Sequence, residues 1–290
     1  MSTSHCRRRG AVGIFLFFSA LVFLLAGPAC GRAGTISMET RTETEVSGHL
    51  LKVTVIKTNK GTAPAFQVRT RIAALDEKLV APVKDRLNPE ESYADQFDVD
   101  IASLGKGRFP VIVHTDFHDA NRYPFSGLSV TTFRVGEDTR ADIIVWGEDV
   151  NLGNAGNVRI GLKNLTASPL DIRARLYAPR EINVSRPDED LLLAARSESD
   201  LDFYVSNFSA LVNARYPIYC VAEYDSGGVH HAEIARLHMT IGARANFFRR
   251  YRHVWATLAG ALCALLIVAL LWGRRKKDVT TDHTESTEKI

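Results

Sequence analysis

The long middle of the chain is written in period two. Leu51, Val53 and Val55 alternate with Lys52 and Thr54, and Val158, Ile160 and Leu162 alternate with Arg159 and Gly161. Phe66, Val68 and Ile72 are interleaved with Gln67, Arg69 and Arg71, and Leu170, Ile172, Ala174 and Leu176 follow the same rule. Alternation of this kind predicts strands with one face buried and one wet. Turn signals separate them at Asn59-Lys-Gly61, Asn88-Pro89, Gly105-Lys-Gly107, Ser168-Pro169 and Ser226-Gly-Gly228. Short strands at that spacing predict antiparallel sandwiches. The least regular stretch is Asp188 to Ser199, where Leu191-Leu-Leu-Ala-Ala195 is compatible with a short helix.

The pattern occurs twice. Val53-Thr-Val-Ile-Lys-Thr-Asn59, Pro64 and Phe66-Gln-Val-Arg-Thr-Arg-Ile72 are matched by Val158-Arg-Ile-Gly-Leu-Lys-Asn164, Pro169 and Leu170-Asp-Ile-Arg-Ala-Arg-Leu176, with an offset of 105 for Val and Asn. Arg108-Phe-Pro-Val-Ile-Val-His-Thr-Asp-Phe117 is matched at an offset of 107 by Arg215-Tyr-Pro-Ile-Tyr-Cys-Val-Ala-Glu-Tyr224. Two near-equal offsets across separate segments indicate a duplicated unit of about one hundred residues. If Phe109, Val111, Val113, Thr115 and Phe117 face a core, the repeat places Tyr216, Ile218, Cys220, Ala222 and Tyr224 in one as well. Trp146 is a candidate anchor for the start of the second copy.

At the two ends the alternation gives way to apolar blocks. Arg7, Arg8 and Arg9 precede the apolar run 11–27 and the small-residue stretch Pro28-Ala-Cys-Gly-Arg-Ala-Gly34, the form of a secretory signal over residues 1–33. Retention as an uncleaved anchor is the alternative, and lipid modification at Cys30 is disfavoured by Gly27 and Pro28. Residues 254–272 carry no charge over nineteen positions. A helix of that length, about 28 Å, matches a hydrocarbon core of about 30 Å. Trp255 and Trp272 stand at its ends as interfacial anchors, and Arg274, Arg275, Lys276 and Lys277 predict a cytoplasmic side for the tail 273–290. The basic juxtamembrane segment 243–253, with Arg249, Arg250 and Arg252, is expected to meet lipid phosphates on the outer face.

The arrangement of alternating strand, Asn59-Lys-Gly-Thr-Ala-Pro-Ala65, second alternating strand, Leu87-Asn-Pro-Glu-Glu91 and a late aromatic strand ending in acid resembles the immunoglobulin-like modules of bacterial surface proteins, of the cell-adhesion-related and sugar-enzyme-associated types. The resemblance is at the level of fold and is clearer in the first copy, since the second has Leu165-Thr-Ala where the first has Lys-Gly-Thr. It implies two tandem immunoglobulin-like antiparallel β-sandwiches, 36–137 and 139–242, so that with the run 254–272 the expected fold is all-β plus a C-terminal transmembrane helix. Modules of this type adhere, space or scaffold and have no active site.

Composition fits that picture: 46% hydrophobic and 24% charged residues with a net charge of +3 exclude a mostly disordered chain and a polytopic transporter. Acids and bases are interleaved, so no nucleic-acid patch forms. Only Cys220 lies inside the exported region, which excludes a disulfide within either unit. His114, Asp116 and His118 share one strand face and are the candidate metal ligands, but the second copy has Val221, Glu223 and Asp225 there, so the imidazoles are not part of the repeated plan. Asp116, Asp119 and Asn121 lack the oxygen spacing of a calcium loop, His230-His231 reads as an exposed hairpin strand, and Gly153-Asn-Ala-Gly156 as a turn. Of the acceptor triplets at Asn164, Asn183 and Asn207, Asn164 aligns with Asn59 and reads as a turn residue. With no nucleophile elbow, zinc-helix or phosphate-loop motif, the expectation is a non-enzymatic module without cofactor. Its partners are membrane lipid and another envelope or surface protein, with carbohydrate as an alternative. An accessory subunit whose helix makes the main contact is the competing expectation.

Overall fold

The computed structural model describes residues 34–75, 77–137, 140–242, 251, 253–258, 260–262 and 265. The signal over 1–33, most of the basic segment 243–253, Trp272, the four basic residues that follow it and the tail lie outside these. Helical residues occur at 253–258, 260–262 and 265, and among the described residues no helix is long and apolar enough to cross a membrane.

The rest is all-β, with sheets stacked as sandwiches. The first half forms β1 (Met38–Ser47), β2 (Leu50–Asn59), β3 (Ala65–Ala74), β4 (Glu77–Val80), β5 (Lys84–Leu87), β6 (Ser92–Asp100), β7 (Gly107–His118) and β8 (Pro124–Val135). The second forms β9 (Ile143–Gly147), β10 (Val150–Leu152), β11 (Ala155–Asn164), β12 (Leu170–Tyr177), β13 (Ile182–Val184), β14 (Asp188–Leu193), β15 (Glu198–Asn207), β16 (Arg215–Ser226) and β17 (Val229–Ile241).

Alternation becomes burial directly. Leu51, Val53 and Val55 on β2, with Phe97 and Val99 on β6, pack against Ile72, Val111, Val113 and Phe133 of the facing sheet β3–β7–β8. In the second half Val158, Ile160 and Leu162 with Phe203 and Val205 pack against Ile172, Ala174, Ile218, Cys220 and Leu237. The repeat extends to pairing: Phe97 lies opposite Val53, and Phe203 opposite Val158. All ten core positions inferred for β7 and β16 are buried. Cys220 is a free, fully buried thiol whose pKa burial pushes up to about 12, so it acts as a small hydrophobe.

Asn59 and Asn164 hold equivalent corners. The Asn59 amide donates to the carbonyls of Ala63 and Leu87, at 2.8 and 3.1 Å, and its Oδ1 accepts from Gly61 N. Asn164 donates to Ser168 O and Leu193 O, at 2.8 and 3.2 Å, and accepts from Thr166 N. Both side chains are buried. The turn role therefore holds, and the amide of Asn164 is not available to carry a glycan in the folded state.

Four local expectations are corrected. Leu191 to Leu193 lie in strand β14 and Ala194-Ala195 in the turn after it: edge pairing with β12, Leu170 opposite Leu193, overrides helix propensity. The sandwiches are not wholly antiparallel, because β10 runs parallel to β17. Phe66 does not share the buried face of Val68, because a bulge at Gln67 with φ 51° turns Ala65 inward instead. Trp146 is 41% exposed and lies over Gly161 on the outer face, where a Cβ at 161 would come within 2.3 Å of the indole.

The two halves pack side by side. Outward side chains of the β3–β7–β8 sheet meet those of the β12–β16–β17 sheet, with Ile112 and Leu128 of one half against Tyr219 of the other, flanked by Val130, Tyr177 and Ile234. Among the described residues the strands form three hydrogen-bonded sheets of three, ten and four strands, the ten-stranded one running through both halves by way of β7 and β17. Apolar clusters lie inside each half, with one more between them. At one end of the joint the backbone of Gly107 bridges His230, and Arg108 pairs with Glu233 at 3.1 Å. A side chain at 107 would strike the carbonyl of His230 at 2.4 Å, which explains the glycine. At the other end Ser126 donates from N and Oγ to the buried Glu181 carboxylate, at 2.6 and 2.5 Å, and Tyr123 donates to Ser209 O at 3.0 Å.

Candidate functional site

Beside this joint the two halves leave a cleft of about 680 Å³, lined by residues of both. Its walls come from the repeat itself. The Arg-x-Arg of β3, Arg69 and Arg71, and that of β12, Arg173 and Arg175, stand at the outward positions of equivalent strands, since the alternate residues Val68, Thr70, Ile172 and Ala174 are buried. Arg71, Arg173 and Arg175 line the cleft with Lys78, His114, Tyr177, Asp188 and Glu223.

The cations are mostly matched. Arg71 pairs with Asp116 at 2.7 Å and Arg173 with Asp190 at 3.2 Å, and Arg175 holds Asp188 through both its Nε and a terminal nitrogen. Arg175 keeps the Asp188 carboxyl below its ordinary range. Burial lowers the pKa of His114, aided by the charge of Arg71 and opposed by Asp116, so the imidazole is neutral near pH 7. Burial raises the pKa of Tyr177, with Arg175 opposing, so its hydroxyl remains a donor. The cleft thus joins matched charges to an apolar wall that includes Ile72, Leu75, Leu79, Val80 and Ile112, a mixed surface suited to recognition of a partner by hydrogen bonds, ion pairs and apolar contact together.

The three metal candidates do share the outward face of β7, but they are distributed along it. His114 lies in the cleft, Asp116 is held by Arg71, and His118 lines a separate hollow of about 450 Å³ with Phe66, Asp119 and Arg122. Among the described residues no group of three or more His, Cys, Asp or Glu side chains is placed to hold a metal ion. Asp119 instead caps the β7–β8 turn, its Oδ1 accepting from Asn121 N and Tyr123 N at 2.8 Å each. His230-His231 is corrected as well. His231 is buried and stacked on Tyr224, while His230 stacks on Phe109 of the first half, 4.7 Å between rings. Trp255 is 44% exposed on the C-terminal helix.

Tyr177, Lys78 and the second Arg-x-Arg were not singled out in the sequence. A signal existed, since the repeat retains two arginines at outward positions of matching strands, but nothing local says that the two outward faces meet.

No family model matches the chain, and no curated protein matches it in sequence. Among solved structures it is similar to Salmonella alpha-2-macroglobulin reacted with methylamine, at 12% identity and a TM-score of 0.30 over 71% of this chain and 16% of that one. It is also similar to the native conformation of E. coli alpha-2-macroglobulin, at 11% identity and a TM-score of 0.29 over 71% of this chain and 17% of the other. Red sea bream transglutaminase is a third, at 11% identity and a TM-score of 0.27 over 76% of this chain and 33% of that one. The chain spans about a sixth of the length of the two macroglobulins and a third of the transglutaminase.

Proposed function

We propose that the chain is a membrane-anchored, extracytoplasmic protein whose two immunoglobulin-like sandwiches act together as one rigid interaction module. The apolar run 254–272, flanked by Trp255, Trp272 and the basic residues 274–277, supports a single-pass anchor with the sandwiches outside. The observation that carries the reading is the two-ended joint, which fixes a composite cleft from both copies. A pair of freely hinged modules has no such permanent surface. The partner is another envelope or surface protein of mixed charge, docking over Lys78, Arg173 and Tyr177; carbohydrate is the second ligand class.

The competing reading, an accessory subunit in which the helix makes the main contact, is separated by two variants. Lys78→Glu with Arg173→Glu reverses two exposed cations without touching a core, and a chimera exchanges residues 254–272 for an unrelated spanning helix. Mild crosslinking in intact cells should then recover the same partner with the chimera and lose it with the double reversal. The opposite pattern assigns function to the helix.

A further inference from the structure

The loop between β15 and β16 carries a group of large apolar side chains in the open: Phe208 is 79% exposed, Val212 52% and Leu211 44%. The first copy shows that the fold does not require them. Its matching loop, between β6 and β7, runs Ala102-Ser-Leu-Gly-Lys106, and Leu104 there turns inward onto the core. In the second copy Ala210 is buried on the core while the apolar residues on either side of it stand out.

This loop is built to hold those side chains out. Phe208 N and Ser209 N both donate to Glu181 O, Ala210 N to the Asn207 side chain, Leu211 N to the Tyr216 hydroxyl, Asn213 N to Ile241 O and Ala214 N to Leu211 O. A backbone tied at six of its seven amide donors, all but that of Val212, holds those side chains away from the sandwich. Tyr123 of the first copy, 38% exposed, extends the patch through its hydrogen bond to Ser209 O.

The place of the loop indicates what covers it. It is hydrogen-bonded to Ile241, the last residue of β17, in both directions: Asn213 N donates to Ile241 O and Ile241 N to Ala214 O. From Gly242 nine residue steps lead to Tyr251, a reach of at most about 32 Å, and then to the uncharged run at 254. The patch therefore lies at the end of the molecule from which the chain leaves for its anchor. The intervening segment carries Arg249, Arg250 and Arg252, and Arg122 is exposed at the tip of the β7–β8 turn beside Tyr123. Apolar side chains at the centre, with a tyrosine and the exposed Arg122 at the edge, form the pattern that seats in a lipid headgroup layer.

We propose that Phe208, Leu211 and Val212, with Tyr123, form a wedge that enters the outer leaflet beside the anchor helix. This rests on the membrane-anchored reading above. Seated so, the two sandwiches stand on the membrane by an end of each rather than swing from a single tether.

The test uses the full chain in vesicles of phosphatidylcholine and phosphatidylglycerol, with and without bromine on the upper acyl carbons. Phe208→Trp and Leu211→Trp are made separately in a chain carrying Trp146→Phe, so that the native Trp255 and Trp272 alone report the anchor in the same samples. Bromine should remove about half of the emission that each new tryptophan adds. If the native pair is quenched and the added emission is not, the anchor stands and the wedge falls, its patch then being covered by a protein partner or a second copy. If neither is quenched, the anchored reading fails and the wedge with it.

Discussion

Among single residues, Lys57 departs furthest from the alternating pattern that surrounds it. It sits at an inward position of β2, fully buried, with its ammonium on the Asp95 carboxylate and 2.7 Å from the Thr70 hydroxyl, under the Tyr93 ring. Burial lowers its pKa, while Asp95 acts in the opposite direction through hydrogen bond and charge. Strand pairing assigns the equivalent positions in the second sandwich to Leu162, Leu201 and Ala174, so the duplication has solved the same site both ways. A buried ion pair is costly to break and inexpensive to replace whole. Asp95→Ala, which strands the lysine, should destabilise the first sandwich by about 3–5 kcal/mol, whereas Lys57→Leu with Asp95→Leu and Thr70→Ala should leave it unchanged or about 1–4 kcal/mol more stable. Urea unfolding of the three proteins decides it, and a triple variant as weak as the single one refutes the equivalence.

Between elements, the β7–β17 contact is where pH acts. The imidazole of His230 on β17 stacks on Phe109 of β7 and hydrogen-bonds Glu223 and Asp225, and its pKa is raised above 6.5, chiefly by Glu223 with burial opposing. Folding thus favours its protonated form. The stability it supplies is complete below 6.5 and is lost as pH rises through the higher folded value. The difference in melting temperature between the wild type and His230→Gln should shrink from about pH 6 upward; a constant difference refutes the assignment. Glu233, raised by burial, titrates in both proteins, and His231, lowered by burial, loses only the smaller charge contribution of His230 in the variant. Much of this level was legible in sequence: β2 with β11, β3 with β12 and β7 with β16 all follow from alternation and two offsets. What escaped has physical causes. The bulge at Gln67 uses a left-handed residue that is not glycine, β14 is a strand only because an edge is available to it, and Lys57 reads as an exposed residue unless its register is trusted over its charge. His230 looked exposed because the Phe109 ring stacked on it belongs to the other copy, and His231 because its stacking on Tyr224 joins strands β16 and β17 rather than neighbours in sequence.

At the scale of the whole molecule the two sandwiches share one apolar seam, and its residues Ile112, Leu128 and Tyr219 are invisible to any analysis that treats outward positions as wet. Ile112→Asp places a charge in that seam without entering either sandwich core. Calorimetry should show the wild type unfolding in one transition and the variant in two, each half then melting alone; a single unshifted transition would deny the seam its role. A last consequence concerns force. The chain leaves the described body through β17, which is bonded along its length to β16 and at its far end runs parallel to β10. A pull on the C-terminal side drags β17 lengthwise between these neighbours, loading its rungs together in shear rather than peeling them one by one, so the strand next to the tether is the one best placed to bear tension.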